Sequence, residues 1–298
     1  MDKSTDFKKY LSKKAEYINL ALKKFLPKDD SIISQSMRYS VLSGGKRLRP
    51  ILVILTASLF GVKTENVIHA ACAVEYLHTY SLVHDDLPAM DNDDFRRGLL
   101  SNHKKFGEAI AVLCGDALLT ESFNLITKSK SSEKNINLAV RILSYYCGYK
   151  GMIAGQVEDS FETGKWRGGN IDSLNRKLQS IQLQKTGALI VACLKIGAVL
   201  AGANNKSLSA LEFYGTNIGV AFQITDDILD AHDNKNLFDK KSSDLKNDKL
   251  TTISMYGKCE AEKKAIKCVK RAKKAVSIFG NKSELLIKMA DYVINRAY

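Results

Sequence analysis

Proline is nearly absent from this chain, and its scarcity constrains the fold more than any other feature. The prolines are Pro27, Pro50 and Pro88, so the 210 residues from 89 to 298 contain none. Proline inside a helix removes a backbone hydrogen bond and clashes with the preceding turn, so a proline-free stretch leaves helices free to continue. Turn-rich all-β proteins, by contrast, use glycine and proline as frequent punctuation. The distribution therefore favours a helical fold.

Apolar residues recur at helical spacing along almost the whole chain, and strand-like alternation is hard to find. The breaks between apolar stretches carry turn-forming residues, as in "LSGGKRLRP", "TGKWRGGN" and "DNKNLFDKKSSD". The pattern predicts helices over residues 4–26, 30–43, 50–60, 64–86, 106–129, 134–160, 171–202, 207–231, 249–255, 259–279 and 281–296. No break is a long linker, so we expect one all-α domain over residues 1–298.

The formal net charge of +13 would suit a nucleic acid, an anionic membrane or a small anionic ligand. Much of the lysine falls on predicted helix faces, as in residues 260–279, where apolar residues recur at helical spacing beneath a lysine coat. The sequence has no basic patch interleaved with aromatic residues and no zinc-finger spacing. We therefore expect no nucleic-acid partner and interpret much of the lysine as solvated helix surface.

The six cysteines form no CxxC pair, and most fall in apolar stretches, which predicts buried free thiols. The first residues are charged and lack the apolar core of a signal peptide. The most apolar segment, residues 188–203, contains Lys195 and is short for a bilayer span. These features predict a cytoplasmic protein without stable membrane insertion.

Two aspartate-rich motifs follow apolar helical stretches. In "FQITDDILDA", Asp226 and Asp230 are four residues apart, which places them about 40° apart on one helix face. Like charges at this spacing destabilise an isolated helix by roughly 0.2–0.5 kcal/mol. A pair of carboxylates beside a core needs a cation, and oxygen ligands of this kind suit Mg²⁺.

The other motif, "VHDDLPAMDNDDFRRG" (residues 83–98), holds Asp85 and Asp91 six residues apart. On an ideal helix they would point roughly 240° apart and could not share an ion. Pro88 disfavours helical geometry at Leu87, so we expect the helix to end or bend there and the chain to curl Asp91 back toward Asp85. A single such string is most simply an exposed acidic turn. Two of them indicate a phosphorylated ligand held through several Mg²⁺ ions.

Cationic side chains that could bind the remaining phosphate charge accompany both motifs. Arg96 and Arg97 directly follow the first one. The segment "SGGKRLRP" carries basic residues on a Gly-Gly loop whose backbone N–H groups can approach an anion, although it is not a P-loop. His78, seven residues before Asp85, falls on nearly the same helix face. Lys185 and Thr186 interrupt an apolar stretch, and lysines, including Lys240 and Lys249, follow the second motif.

With these residues assembled, the chain resembles the short-chain trans-polyprenyl diphosphate synthases, and within them the bacterial farnesyl diphosphate synthases. The resemblance covers nearly the whole chain. Seven motifs carry it in order: "GGKRLRP", "EYLHTYSLVHDDLPAMDNDDFRRG", "HKKFGEAIAVLCGDALL", "GQVED", "KTGALI", "FQITDDILD" and "DKKSSDLKNDKLT".

The resemblance implies an all-α bundle around a deep central cavity, which usually forms a homodimer. It implies three bound Mg²⁺ ions, with Mn²⁺ as an alternative, and isopentenyl and allylic diphosphates as substrates. The implied metal ligands are Asp85, Asp86, Asp91, Asp226 and Asp230, and the implied catalytic residues are Asp85, Asp91, Arg96, Lys185, Asp226 and Asp227. The implied substrate-binding residues are Lys46, Arg49, His78, Arg97, Thr186, Gln223, Lys240 and Lys249. No side-chain base is obvious, and in this family the departing diphosphate is thought to take the proton.

Tyr80 and Ser81 precede Asp85 by five and four residues, about one helical turn of 5.4 Å, which is of the order of one five-carbon unit. A bulky residue at the fifth upstream position, with four residues between the aspartate groups, resembles the bacterial C15 pattern. We therefore expect farnesyl diphosphate as the product and Tyr80 as the stop. Geranylgeranyl diphosphate synthase is the alternative, because only the depth of the pocket separates the two.

Three rival functions fit less well. A terpene cyclase needs no second diphosphate site, so "GGKRLRP" and His78 count against it, and a head-to-head synthase lacks this basic loop. A non-catalytic partner subunit tends to lose an aspartate motif, whereas both are intact here.

The chain departs from the family pattern at Asp239-Lys240 and at residues 242–243. It also ends in "NRAY" rather than a more basic tail, so we leave Arg296 outside the predicted site.

Overall fold

A computed structural model of the chain describes residues 3–233 and 249–296, and these are helical almost throughout. Within these ranges the strands are the two-residue β1 (Phe95–Arg96) and β2 (Leu99–Leu100), which pair antiparallel as a small hairpin. The predicted all-α class is confirmed. The deep central cavity and the single domain over residues 1–298 remain predictions.

The first helices are α1 (Lys3–Phe25), α2 (Ile32–Leu42), α3 (Leu48–Leu59), α4 (Thr64–Asp85), α5 (Asn102–Phe106), α6 (Glu108–Ile126) and α7 (Glu133–Cys147). They are followed by α8 (Met152–Glu162), α9 (Ile171–Ile181), a π-helical segment (Gln182–Gly187), α10 (Ala188–Leu200) and α11 (Asn205–Asp233). After residue 248 come α12 (Thr252–Val276), a 3₁₀ segment (Ser277–Ser283) and α13 (Glu284–Ile294).

The contacts within the chain define two compact units. The first comprises Met1–Leu143 with Ile196–Gly202, and in it α4 packs against α3 and α6. Its core is apolar, with Val74 and Leu77 of α4 fully buried. The second comprises Ser144–Lys195 with Ala203–Tyr298, and in it α11 packs along α12 while the π-helical segment packs against α8, α9 and α11.

Glycines explain the main differences between the predicted and the observed helices. The predicted helix 134–160 is wrong, because the chain leaves the helix between α7 and α8, where a Cβ at Gly151 would lie 1.9 Å from the Tyr146 carbonyl oxygen. Gly107 separates α5 from α6 inside the predicted helix 106–129. The predicted break after residue 255 is confirmed, because Gly257 (φ 74°) interrupts α12.

Capping side chains fix several helix starts. The Ser31 hydroxyl accepts a hydrogen bond from the Ser34 amide at the start of α2, and the Asn170 side chain accepts from two amides at the start of α9. Thr251 and Ser254 form a reciprocal capping box at the start of α12. This last cap fixes the first turn of α12.

By length and composition alone, two described helical stretches could cross a bilayer: Glu108–Ile126 and Ile171–Leu200. The second is longer than the apolar segment considered in the sequence, because the helix continues through the π-helical segment. The core helix of a soluble protein passes the same test, and 78% of the apolar window in Ile171–Leu200 is buried inside the protein. These helices are weak evidence for membrane insertion.

Candidate active site

The first aspartate motif turns back on itself at the end of α4. The helix ends at Asp85, just before Pro88. Beyond the proline, the Asp91 amide donates to the Asp85 carbonyl oxygen at 2.9 Å, and the Asp93 amide donates to the Asp86 carbonyl oxygen at 3.2 Å. The predicted curl of Asp91 toward Asp85 is therefore confirmed for the backbone.

An arginine of the same motif binds the Asp86 carboxylate. Arg96 Nε donates to Asp86 Oδ1 at 2.9 Å, and Arg96 Nη2 reaches the same oxygen and, at 3.2 Å, Asp93 Oδ2. The Asp86 side chain is almost fully buried. Burial raises the pKa of the Asp86 carboxyl, and the hydrogen bond and charge of Arg96 act in the opposite direction. This pairing orders the loop and occupies one oxygen of a predicted metal ligand. The metal-ligand assignment of Asp86 stays a prediction.

The basic loop before α3 contains one arginine that is structural. Arg47 is buried and forms an ion pair with Glu75, and it also donates to the Val41 carbonyl oxygen at 2.7 Å and to Asn19 Oδ1 at 2.8 Å. Its positive φ of 51° places it where the loop turns into the helix. Its charge is therefore neutralised within the protein. Lys46, its neighbour, is exposed.

Arg97 lies against this loop. Its Nη1 donates to the Gly44 carbonyl oxygen, and a Cβ at Gly45 (φ 120°) would lie 2.8 Å from the Arg97 Cζ, so a glycine is needed there. Arg96 and Arg97 both line a small hollow bounded by α2, α4 and the hairpin. Burial lowers the pKa of Arg97, and the nearby guanidinium groups of Arg47 and Arg96 act in the same direction. Like charges held this close favour the binding of an anion.

His78 and Arg49 meet within the same unit. Arg49 Nη1 lies 3.2 Å from His78 Nε2, and because guanidinium nitrogens only donate, Nε2 accepts and the ring proton lies on Nδ1. Burial and the positive charges of Arg49 and Arg97 hold the pKa of His78 well below its usual range. His78 is therefore a neutral hydrogen-bonding group.

In the second unit, Lys185 lies in the π-helical segment and forms an ion pair with Asp159 of α8, with Nζ 2.5 Å from Oδ2. A Cβ at Gly155 would lie 2.1 Å from the Lys185 backbone nitrogen, so a glycine there lets α8 approach the widened turn. The sequence analysis missed Asp159, although it quoted "GQVED". The available signal was the spacing of Gly155 and Asp159, because residues four positions apart fall on one helix face.

A chain of hydrogen bonds links the polar residues predicted in this unit. The Thr186 hydroxyl donates to Gln223 Oε1 at 2.6 Å, Gln223 Nε2 donates to Asp227 Oδ1 at 2.9 Å, and the Thr252 amide donates to Asp227 Oδ2 at 3.2 Å. Asp227 and Thr186 are both buried. The arrangement fixes the direction of the hydroxyl and of the side-chain amide.

Asp226 is bound by the arginine that the sequence analysis left outside the site. Arg296 Nη2 donates to Asp226 Oδ1 at 2.9 Å, and the guanidinium lies over the Phe222 ring at 4.5 Å from its centroid. The Arg296 side chain is 13% exposed. The sequence offers no spacing signal for this contact, because the two residues are 70 positions apart.

Of the remaining predicted residues, Tyr80 is buried and Ser81 donates to the His78 carbonyl oxygen at 2.9 Å. Asp230 is exposed on α11, and Lys249 is partly buried just before α12. Lys240 lies outside the described residues. The structure thus brings together Arg49, His78 and Arg97 in one unit, and Thr186, Gln223 and Asp227 in the other.

Comparisons with known proteins match this set of motifs. The sequence model of the family described as "Polyprenyl synthetase" matches residues 30–283. A farnesyl diphosphate synthase from Bacillus subtilis is 40% identical over 269 residues, covering 89% of this chain and 88% of the relative. A geranylgeranyl diphosphate synthase from Cyanophora paradoxa is 40% identical over 294 residues, covering 96% and 95%. The crystal structure of an FPP/GFPP synthase from Zymomonas mobilis superposes with a TM-score of 0.86 at 32% identity, covering 98% and 99%.

Proposed function

The chain belongs to the polyprenyl synthetase family and is a trans-prenyltransferase, and from this premise we propose that it makes farnesyl diphosphate. It would condense isopentenyl diphosphate head-to-tail with dimethylallyl or geranyl diphosphate. The observation that supports a C15 product is Tyr80, a bulky side chain with 6% exposure, five residues before Asp85. We further propose a cytoplasmic homodimer.

Magnesium is the proposed cofactor, and the donors of the aspartate motifs fit it. Members of this family are generally metal-dependent. The backbone turn holds Asp85 and Asp91 close in space, which suits paired carboxylate ligands. Within the described ranges, no group of three or more acidic, histidine or cysteine side chains is arranged to hold a metal ion by itself. The paired carboxylates of Asp85 and Asp91 suit Mg²⁺, which binds through one or two carboxylates and keeps waters and substrate phosphate oxygens as its other ligands.

Asp85, Asp91 and Asp226 would hold the ions, with Asp86 and Asp230 as further proposed ligands and three as the proposed number. When bound, such ions neutralise the charge that develops on a leaving diphosphate. The protein's own cations would act on the same charge. Lys185 would bind the allylic diphosphate, and Arg96 would bind it while remaining linked to Asp86.

Isopentenyl diphosphate would bind to the basic group of the first unit. Arg49 and Arg97 would supply two charges, and exposed Lys46 would supply a third. His78, neutral and oriented by Arg49, would donate its Nδ1 proton to a phosphate oxygen. Because the Gly44 carbonyl oxygen holds the Arg97 guanidinium and His78 holds that of Arg49, little reorganisation is needed when the anion arrives.

Thr186 would stabilise the allylic cation. Its hydroxyl proton is committed to Gln223, so the oxygen presents its lone pairs to whatever approaches from the other side. Gln223 is in turn fixed by Asp227. An oriented dipole in a dry site stabilises developing positive charge without adding a base or a nucleophile. Lys240 and Lys249 are proposed to contact the diphosphate as well.

The test is to incubate the protein with Mg²⁺, isopentenyl diphosphate and either dimethylallyl or geranyl diphosphate, and to measure product chain length. Accumulation of the C15 product from both starters supports the proposal. A C20 product as the main species would support the alternative, a geranylgeranyl diphosphate synthase. Tyr80→Ala should lengthen the product, and a variant that still stops at C15 would remove Tyr80 as the stop.

A further inference from the structure

The side chain of His84, the residue immediately before Asp85, contacts α6. Its Nε2 donates to the Val112 carbonyl oxygen at 3.0 Å, and the Asp116 carboxylate lies 3.9 Å from the same nitrogen. The ring is therefore anchored to α6 at a defined point of the helix.

Gly115 provides the space that the His84 ring occupies. A Cβ at this position would lie 2.0 Å from Nε2 and 2.3 Å from Cδ2 of His84. Atoms at these distances overlap, so any larger residue at position 115 must displace the ring. Gly115 lies inside α6, where an alanine would otherwise be preferred to a glycine.

The other side of the His84 ring supports Tyr80. The two rings meet edge to face, with centroids 5.6 Å apart and planes at 87°. Such a contact has a preferred geometry, so it limits the positions of the tyrosine ring more than an aliphatic neighbour would. A path of direct contacts thus leads from Gly115 and Val112 through His84 to Tyr80.

We infer that His84, held by Gly115 and Val112, positions the Tyr80 ring and thereby sets the product length. This inference rests on the proposed function, specifically on Tyr80 as the stop. A large side chain stops a growing chain only if it cannot swing aside, and the His84 ring supplies one such restraint on the Tyr80 ring. His84 is a positioning residue, because it acts on product length only through Tyr80.

The experiment measures the ratio of C20 to C15 product for purified variants under one set of substrate concentrations. His84→Ala, a change on α4, removes the ring that supports Tyr80. Gly115→Ala, a change on α6, displaces the same ring. Both should raise the ratio several-fold, with a smaller effect than Tyr80→Ala. His84→Phe keeps a flat ring against Tyr80 and should stay near the parent ratio. His69→Ala is the matched control, because His69 is on the same helix and stacks on Phe25, and it should leave the ratio unchanged.

The double variant Tyr80→Ala/His84→Ala separates this inference from the proposed function. If His84 acts through Tyr80, the double variant gives the same ratio as Tyr80→Ala alone. A further increase in the double variant would overturn the inference. If Tyr80→Ala lengthens the product and His84→Ala does not, the inference is wrong while the proposed stop stands. If neither lengthens it, both are wrong. Circular dichroism checks that Gly115→Ala is folded, and His84→Ala decides the matter if it is not.

Discussion

Arg296 donates a hydrogen bond to Asp226, so a cation from just beyond α13 already occupies an oxygen that we propose for Mg²⁺. The Phe222 ring beneath the guanidinium holds it in that position. A metal ion that binds Asp226 must compete with this arginine. The charge of the Asp226 carboxylate is thus compensated by a residue of the same chain.

Arg296→Ala should therefore lower the Mg²⁺ concentration needed for half-maximal activity by about fivefold, since partly exposed ion pairs contribute up to about 1 kcal/mol. The measurement is a Mg²⁺ titration of initial rate at saturating substrates. Arg271→Ala, which removes an exposed arginine from α12, serves as the control. An unchanged or higher Mg²⁺ requirement for Arg296→Ala would contradict this competition.

Asp159→Asn should reduce kcat about ten- to hundredfold, because Lys185 loses the partner that holds it in place. The shape of the side chain is retained, so the thermal midpoint should change little in comparison. Steady-state kinetics and a melting curve measure the two effects. Asp172→Asn, at an exposed position in the first turn of α9, should leave kcat unchanged. A normal kcat for Asp159→Asn would show that Lys185 needs no such support.

Asp85→Ala should reduce kcat/KM by about 10³-fold, since metal-assisted charge stabilisation supplies several kcal/mol and each 1.36 kcal/mol is a factor of ten. Chelation of the metal should inactivate the parent enzyme, and added Mg²⁺ should restore it. Asp94→Ala is the matched control from the same motif, because Asp94 is exposed and forms an ion pair with Lys104. Equal losses in the two variants would argue against a specific role for Asp85.

The stability of the protein should decrease as the pH falls through the ordinary histidine range, and His78 should account for part of the decrease. Its pKa is lowered in the folded state, so below about pH 6.5 the unfolded chain binds a proton that the folded chain does not. His78→Gln should therefore lose less stability than the parent between about pH 7 and pH 5.5, by roughly 1 kcal/mol. Urea midpoints at the two pH values give the comparison. Parallel losses in both proteins would exclude this contribution.

The backbone of the first aspartate motif could be predicted because local rules decide it. Pro88 ends α4 whatever surrounds it, and the return of Asp91 toward Asp85 follows within a few residues. The helix boundaries at Gly257 were predictable for the same reason. The break between α7 and α8 was missed, because "CGYKG" also continues a plausible apolar pattern and the close approach at Gly151 depends on the turn that forms there.

The partners of the charged side chains could not be predicted, because they depend on tertiary contacts. Asp86 and Asp91 are both aspartates of the same motif, and their sequence positions do not indicate that Arg96 binds Asp86. Lys185 was identified as a basic residue in an apolar stretch, but its partner Asp159 comes from another helix. The Arg296–Asp226 contact joins residues 70 positions apart, and nothing in the spacing marks it.

The π-helical segment Gln182–Gly187 contains one residue more than a regular helical turn. This extra residue sets the rotation of α9 about the helix axis relative to α10. Removing a single residue there would restore an ordinary helix, but it would rotate α9 by about 100° relative to α10. Leu174, Leu178 and Ile181, which pack with Leu250, would then turn away from their cluster. A length change in this segment should therefore be far rarer among functional variants than a substitution at an exposed position of it, such as Leu183.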